Sequence, residues 1–525
     1  MNHKKIRAIA LPALMLSAAF ALTSCGIQPA GTSNGGGEKG GSSQIVIGSS
    51  NLAETLDPLQ AADAHNDFNI APLYDRIVDF DSDGKMVWKL AESGEFSDEA
   101  KVLTLKLRSG VKFHSGNPLT AKDVVYTLDR AIKIGSGHAA LFTDYASSEA
   151  VDDTTVKINL KKTNLDFLGA LANLYVLDSE LVKRNEGSDN AQSWLGTHEA
   201  GSGPFSMDKY SPNQELDLKR FADYWGFDEG RPDTVILRMI NDSSANRDEF
   251  LAGNVDITMG LAAPDVEEIQ KNDKYEVINN PSSRTTYAWL NNAGGITKDP
   301  KVREAIQLAY DYQGHLVSAL GNVGQLADSI LPAGIGCRVD IPKPEQDIAK
   351  AKQLIADAGV AGSKLKIAYQ PTVREFNAAG TLMQEVLTEI GLKPELVGVT
   401  YPQYVALVAD PKTTPEVSLA WDFAPFPAPG PILNRQYNSE FAGQTNYARY
   451  SNPKVDALLN DALTATDLDT ACADYKQVQE QVIADHASVY IAYPAVTMIT
   501  NKRVQGIPFA PTQQDFNVGD LRMAK

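Results

Sequence analysis

The chain runs to 525 residues, with 66 acidic side chains against 48 basic ones and a formal net charge of −18. That length exceeds one ordinary hydrophobic core and predicts two or three lobes. The acidic balance leaves no basic face to neutralise phosphates, which excludes nucleic acid as a partner.

The first segment reads as a targeting signal over residues 1–24. Lys4, Lys5 and Arg7 precede an apolar run over 9–22 that is short for a bilayer span, and Leu22-Thr23-Ser24-Cys25 follows. Those last four residues resemble the bacterial lipobox, which makes Cys25 the expected site of lipidation and the mature N-terminus. Each buried acyl methylene would contribute about 0.8 kcal/mol to membrane anchoring. Residues 25–43, rich in Gly and Ser, are expected to form a flexible tether. Of three cysteines, Cys337 and Cys472 then remain as an even pair in an oxidising compartment. A disulfide and two buried thiols are both open for them.

From residue 44 onward strands and helices interleave. Residues 44–48 are a short apolar run bounded by turn residues, and residues 102–107 lead into the turn Ser109-Gly110; both are expected strands. Thr120 and Asp123 form a capping box ahead of a helix whose inner face carries Val124, Val125, Leu128, Ala131 and Ile132. Residues 155–160 form another strand. Pro300 opens a helix bearing Val302, Ala305, Ile306 and Ala309 on one side. A further helix carries Ile348, Ala351, Leu354 and Ile355 and closes at Gly359. A strand over 365–369, a helix from Phe376 to the stop at Gly391, and a strand over 396–399 make a βαβ unit. A parallel sheet is expected there, and in open sheets ligands sit in the crevice outside the strand ends.

Five blocks then carry a resemblance. They are Tyr74-Asp75-Arg76-Ile77-Val78-Asp79, the run from Leu105 through Phe113-His114-Ser115-Gly116 to Val125, Gly201-Ser202-Gly203-Pro204-Phe205, Asp223-Tyr224-Trp225-Gly226, and Asp299-Pro300-Lys301-Val302-Arg303-Glu304. In this order, behind a lipobox, they resemble the extracellular solute-binding proteins of family 5, which capture oligopeptides, dipeptides or nickel. The resemblance implies an α/β, two-lobed periplasmic-binding-protein (Venus flytrap) fold, type II-like with an extra inserted subdomain. It places the first lobe at 44–80, 197–285 and 497–525, the insert at 81–196 and the second lobe at 286–496. The implied role is capture of a small solute, by default a peptide, between the lobes and delivery to an ABC permease and its ATPase subunits. A monomer without cofactor or metal is expected. A sugar, an opine or a metal chelate as solute, a surface sensor or chaperone, and a lipoprotein hydrolase are the rival readings.

The motifs with possible chemistry have plainer explanations. Asp79-Phe80-Asp81-Ser82-Asp83-Gly84 begins like a calcium loop, but Leu90 stands where a bidentate Glu is required, so a hairpin turn is expected. The seven histidines have no metal-ligand spacing, and Ser202 lies outside any nucleophile-elbow pattern. Trp225 is expected to pack as scaffold. No catalytic residue is assigned.

The candidate ligand contacts centre on Ser418-Leu419-Ala420-Trp421-Asp422-Phe423-Ala424. Peptide-binding relatives carry a tryptophan at the position of Trp421 and, slightly later, an aspartate that pairs with the peptide ammonium. That later position is Ala424 here. Asp422, two residues earlier on the same face of an extended segment, is the expected substitute. Asn51 and Leu52 after the first strand, Phe423, and Tyr493 before the last lobe crossing complete the set. Arg435 and Tyr437 are weaker candidates.

Overall fold

The computed structural model describes residues 43–60, 64–226, 229–342, 345–510 and 515–524. The signal segment, Cys25 and the expected tether as far as residue 42 lie outside the described residues. Ser43 already belongs to the body, donating its backbone N–H to Asp233 Oδ2 at 2.9 Å.

Two sheets are built around one shared strand. In the first, Gln44–Ser49 pairs in parallel with Thr234–Met239 and Ile257–Met259, and the sheet continues antiparallel through Glu215–Arg220 to Phe205–Ser211. In the second, Lys364–Tyr369 pairs in parallel with Lys393–Gly398 across the helix Arg374–Glu389, which is the expected βαβ unit. Val417–Phe423 and Arg284–Leu290 extend that sheet. The 14-residue strand Ser488–Asn501 belongs to both sheets. Its first part pairs with Arg284–Leu290 and its second with Tyr275–Pro281, so twelve described strands are joined, ten along one path and two pairing with Ser488–Asn501 off it. Val489, Ile491 and Ala492 are fully buried, as expected for a strand covered on both faces.

A separate four-stranded antiparallel sheet is formed by Ala91–Ser97, Val102–Leu107, Thr155–Leu160 and Tyr145–Asp152. The helix Ala121–Ile134 covers it and starts as its sequence indicates. Asp123 Oδ2 accepts the Thr120 backbone N–H at 2.8 Å, and Gly135 at φ 68° closes the last turn. Val124, Leu128 and Ala131 are buried. Ile132, expected on the same face, lies at the rim and is 38% exposed, because the neighbouring position Ala131 already takes the inward direction at the end of the helix.

The cores follow this division. Residues from Ile77 to Val176 pack together over the four-stranded sheet. Tyr175, Leu177, Val182 and Leu195 instead join Ile45, Ile47 and Leu237 in the core of the first lobe. Two further clusters fill the faces of the second lobe's sheet. Cys337 and Cys472 are joined by a disulfide, with Cα atoms 5.1 Å apart. No described helix is long and apolar enough to cross a membrane.

The lobes are linked where two chain segments run side by side. Pro281 pairs with Ala495 and Thr286 with Ala492, with a register break between Thr286 and Tyr287. Between them, the Ser282 hydroxyl donates to the Pro494 carbonyl.

Candidate functional site: a cleft between two lobes

The described segments on either side of the crossings touch one another at several points. Phe80 stacks on Phe426 with ring centroids 6.3 Å apart, and Asn173 Nδ2 donates to the Pro425 carbonyl at 3.2 Å. The hairpin at residues 81–85 touches the second lobe. A Cβ at Gly84, whose φ is +77°, would fall 2.1 Å from the Gly334 carbonyl oxygen, so only glycine fits that contact. The Asp79–Gly84 segment is a turn, with Asp81 Oδ1 accepting the backbone N–H groups of Asp83 and Lys85 at 3.1 and 2.9 Å.

Strand alternation sorts the expected ligand contacts onto two faces. Arg284 is opposite Phe423 and Thr286 is opposite Trp421, so these four side chains share one face. The helix Arg374–Glu389 lies over it. Trp421 Nε1 donates to Glu375 Oε2 at 2.8 Å, and its ring packs on Phe376 at 4.6 Å. Glu375 also accepts from the Thr286 hydroxyl and faces His315 Nε2 at 3.3 Å, with Tyr310 at the other ring nitrogen. This carboxylate is fully engaged in positioning the indole. The Arg284 guanidinium lies 5.5 Å from the centroid of the half-buried Trp421 ring, within cation–π range.

Asp422 points to the opposite face and is committed there. Its carboxylate accepts from Arg435 Nη2 at 2.6 Å and Gln436 Nε2 at 2.7 Å, and the residue is 2% exposed. The expected substitution for the ammonium-binding aspartate therefore fails. Sharing a face with Ala424 is not enough, because the helix Pro429–Tyr437 supplies Arg435 and Gln436 to neutralise Asp422. Tyr437 is fully buried, its hydroxyl 3.2 Å from that of Tyr490.

Two more expected contacts are structural. Leu52 is buried in the first lobe's core, because the turn after the first strand directs it inward. Tyr493 is also buried, with its hydroxyl 2.7 Å from the Ser329 carbonyl and accepting the Ser329 N–H at 3.0 Å. Burial pushes that hydroxyl up to about 12. Tyr493 thus ties the 328–331 loop to the crossing strand and does not face solute. Phe423 is half-buried beside Arg284. Asn51 is exposed and lines a cavity of about 300 Å³ with Ser50, Asn69, Arg284, Thr497 and Asp515.

Arg284 and Asp515 are the residues that sequence reasoning missed. Arg284 makes no side-chain hydrogen bond or ion pair among the described residues. Burial holds its guanidinium below the usual arginine range, offset in part by Asp515 and Glu375. Among the described residues Asp515 Oδ1 accepts only the Phe516 backbone N–H, at 3.0 Å, and burial pushes the carboxyl up to about 7 against the pull of that hydrogen bond and of Arg284. Their only sequence signal is the alternation that puts Arg284 in step with Thr286; the pairing partner is invisible without the fold.

Other candidate groups are scaffold. The Ser202 hydroxyl donates to Asp75 Oδ2 at 2.9 Å, as does Trp225 Nε1 at the same distance. Among the described residues no His, Cys, Asp and Glu cluster has the makings of a metal site.

The model of the bacterial extracellular solute-binding proteins, family 5, matches residues 85–444. This chain belongs to that family. Among curated proteins, the family member resembles the "Probable D,D-dipeptide-binding periplasmic protein DdpA" of Escherichia coli strain K12 at 29% identity, covering 91% of this chain and 94% of that one. It is 26% identical to the oligopeptide-binding protein AppA of Bacillus subtilis over the full length of both. Among solved structures it matches the ABC transporter substrate-binding protein CtaP of Listeria monocytogenes with a TM-score of 0.82 and 25% identity, covering 92% of this chain and all of that one. As a family 5 protein it has the two-lobed α/β fold of extracellular solute binders.

Proposed function

We propose that this protein captures a short peptide between its lobes and hands it to the permease of an ABC importer, as a binding protein and not an enzyme. The observation that carries the reading is the paired crossing, Pro281–Thr286 beside Ala492–Ala495, with cleft residues on both sides of it. Asn51 and Asp515 stand on one side, Arg284 and Trp421 on the other. A solute favours the closed form only through contacts that exist in that form, and a cavity lined from both lobes supplies them. Peptide as cargo is supported by the relatives named for dipeptides and oligopeptides. On this reading the crossings are the hinge, and the boundary expected at 285/286 moves ahead of Arg284, whose strand pairs with Val417–Phe423 from its first residue; residues 44–80, 197–283 and 497–525 build one lobe, 284–496 the other, and an inserted unit lies between 81 and 196. Lipidation of Cys25 would hold a monomeric protein at the cell surface or facing the periplasm.

The test is native mass spectrometry of protein purified without denaturation, followed by a thermal-shift panel of di- to tetrapeptides. A bound peptide that raises the melting temperature is expected; at 100 times its dissociation constant it adds about 2.7 kcal/mol. A panel without any stabilising peptide removes the cargo assignment. For the anchor, Cys25→Ser is expected to shift the protein from the membrane fraction to the soluble one, and unchanged fractionation refutes it.

A further inference from the structure

The region where relatives place their ammonium-binding aspartate is uncharged here. Ala424 lines a cavity of only about 60 Å³ together with Ser82, Ser283 and Phe509, and the nearby Asp422 is consumed by Arg435 and Gln436. Yet the larger cavity beside the crossings contains one cation and one anion, Arg284 and Asp515. They come from different sides of the hinge. Arg284 opens the second lobe's strand, and Asp515 pairs antiparallel with Ala510 next to Phe516, which is buried in the first lobe's core.

Neither charge is matched among the described residues. Arg284 has no hydrogen-bonded or ion-paired partner among the described residues, and Asp515 has only its own neighbour's backbone N–H. The other carboxylate that acts on Arg284, Glu375, already serves Trp421, Thr286 and His315. A buried charge is costly unless it is paired and hydrogen-bonded. A guanidinium resting on an indole offers a planar donor fork suited to a carboxylate. A simple anion entering this cavity would meet Asp515, and a simple cation would meet Arg284. A ligand carrying both charges satisfies both groups.

We propose that Arg284 and Asp515 together recognise a zwitterion, Arg284 binding the solute carboxylate and Asp515 its ammonium group, in place of the ammonium site lost at Ala424. This rests on the cleft being the solute site. It makes both ends of a short peptide specificity determinants and couples them to closure, because one end is held by each lobe.

The experiment uses native mass spectrometry on the full chain with three equimolar dipeptide and tripeptide libraries: free, N-acetylated and C-terminally amidated. The wild-type protein is expected to bind the free library at least about tenfold more tightly than either capped one, a difference worth about 1.4 kcal/mol. Arg284→Gln should erase the penalty for amidation and keep that for acetylation, and Asp515→Asn should do the reverse. Equal binding of free and capped libraries by the wild type overturns the proposal without relying on any variant. A mixture of free amino acids is tested in parallel. If it binds with the same dependence on both residues while the peptide libraries do not, the peptide cargo falls and the zwitterion site stands. If neither binds, both readings fall.

Discussion

Arg130 is buried and Arg284 half-buried, and the fold treats them very differently. Arg130 faces Asp57 with two hydrogen bonds, Nη1 to Oδ1 at 3.0 Å and Nη2 to Oδ2 at 2.6 Å, and its Nε donates to the Asn190 carbonyl. Arg76 is likewise held by Asp67 and Asp79 at 3.1 and 3.2 Å. These cations are structural, because the fold provides the anion. Arg284 has a ring beneath it and, among the described residues, no carboxylate in hydrogen-bond or ion-pair contact. The difference teaches how to tell a scaffold charge from a receptor: the former is satisfied by the fold, and the latter is satisfied by its solute.

The comparison can be broken most forcefully at the paired end. Arg130→Met leaves Asp57, which is fully buried, without its counter-ion, and should cost about 3–5 kcal/mol of stability. Urea unfolding followed by circular dichroism checks this; a loss smaller than that for Arg284→Gln would erase the distinction. Asp422→Asn comes next. It should cost about 1–3 kcal/mol by unpairing Arg435, and it should alter the affinities of free and N-blocked peptides equally. A selective loss for free N-termini would restore Asp422 as the ammonium site.

At the receptor end, Trp421→Ala should weaken peptide binding by about tenfold, roughly 1.4 kcal/mol, through loss of the surface under Arg284. Isothermal titration measures it, and an unchanged dissociation constant would remove Trp421 from the site. The smallest effect is a pH dependence. Asp166, at the start of the helix Asp166–Ala170, lies so close to the helix Pro429–Tyr437 that a Cβ at Gly430 would fall 2.1 Å from its Oδ2. Burial alone pushes this carboxyl up from 3.8 to about 6. The folded form thus keeps a proton that the unfolded chain has lost, and this contribution to stability declines as pH rises from about 4 through about 6. Asp166→Asn should flatten that part of the melting-temperature profile; an unaltered slope would show that another group carries it.

His114 shows the opposite ionic logic in a fully paired setting. Burial disfavours its charged form, but Glu199 at 2.8 Å from Nδ1 and the Gly203 carbonyl at 3.0 Å from Nε2 outweigh it and raise the pKa. Its contribution is full in acid and fades as pH rises through the raised folded-state value. The sequence had already placed His114 and Gly203 in recognisable blocks, without showing that they clasp one another.

Local signals in the sequence determined the elements of this protein. The Thr120–Asp123 capping box, Gly359 and Gly391 at helix ends, and the strand–helix–strand spacing from 364 to 398 are written in neighbouring residues. They needed no distant partner to be read. Tertiary structure alone decided the site. Trp421 and Asp422 are adjacent, but a strand sends them to opposite faces, where one meets Glu375 and the other Arg435. Arg284 and Asp515 are brought to one cavity across a span of chain that no period or motif connects. Whether a charge is neutralised by the fold or left for a solute depends on which residues the packed lobes place beside it, and that information resides in long-range contacts.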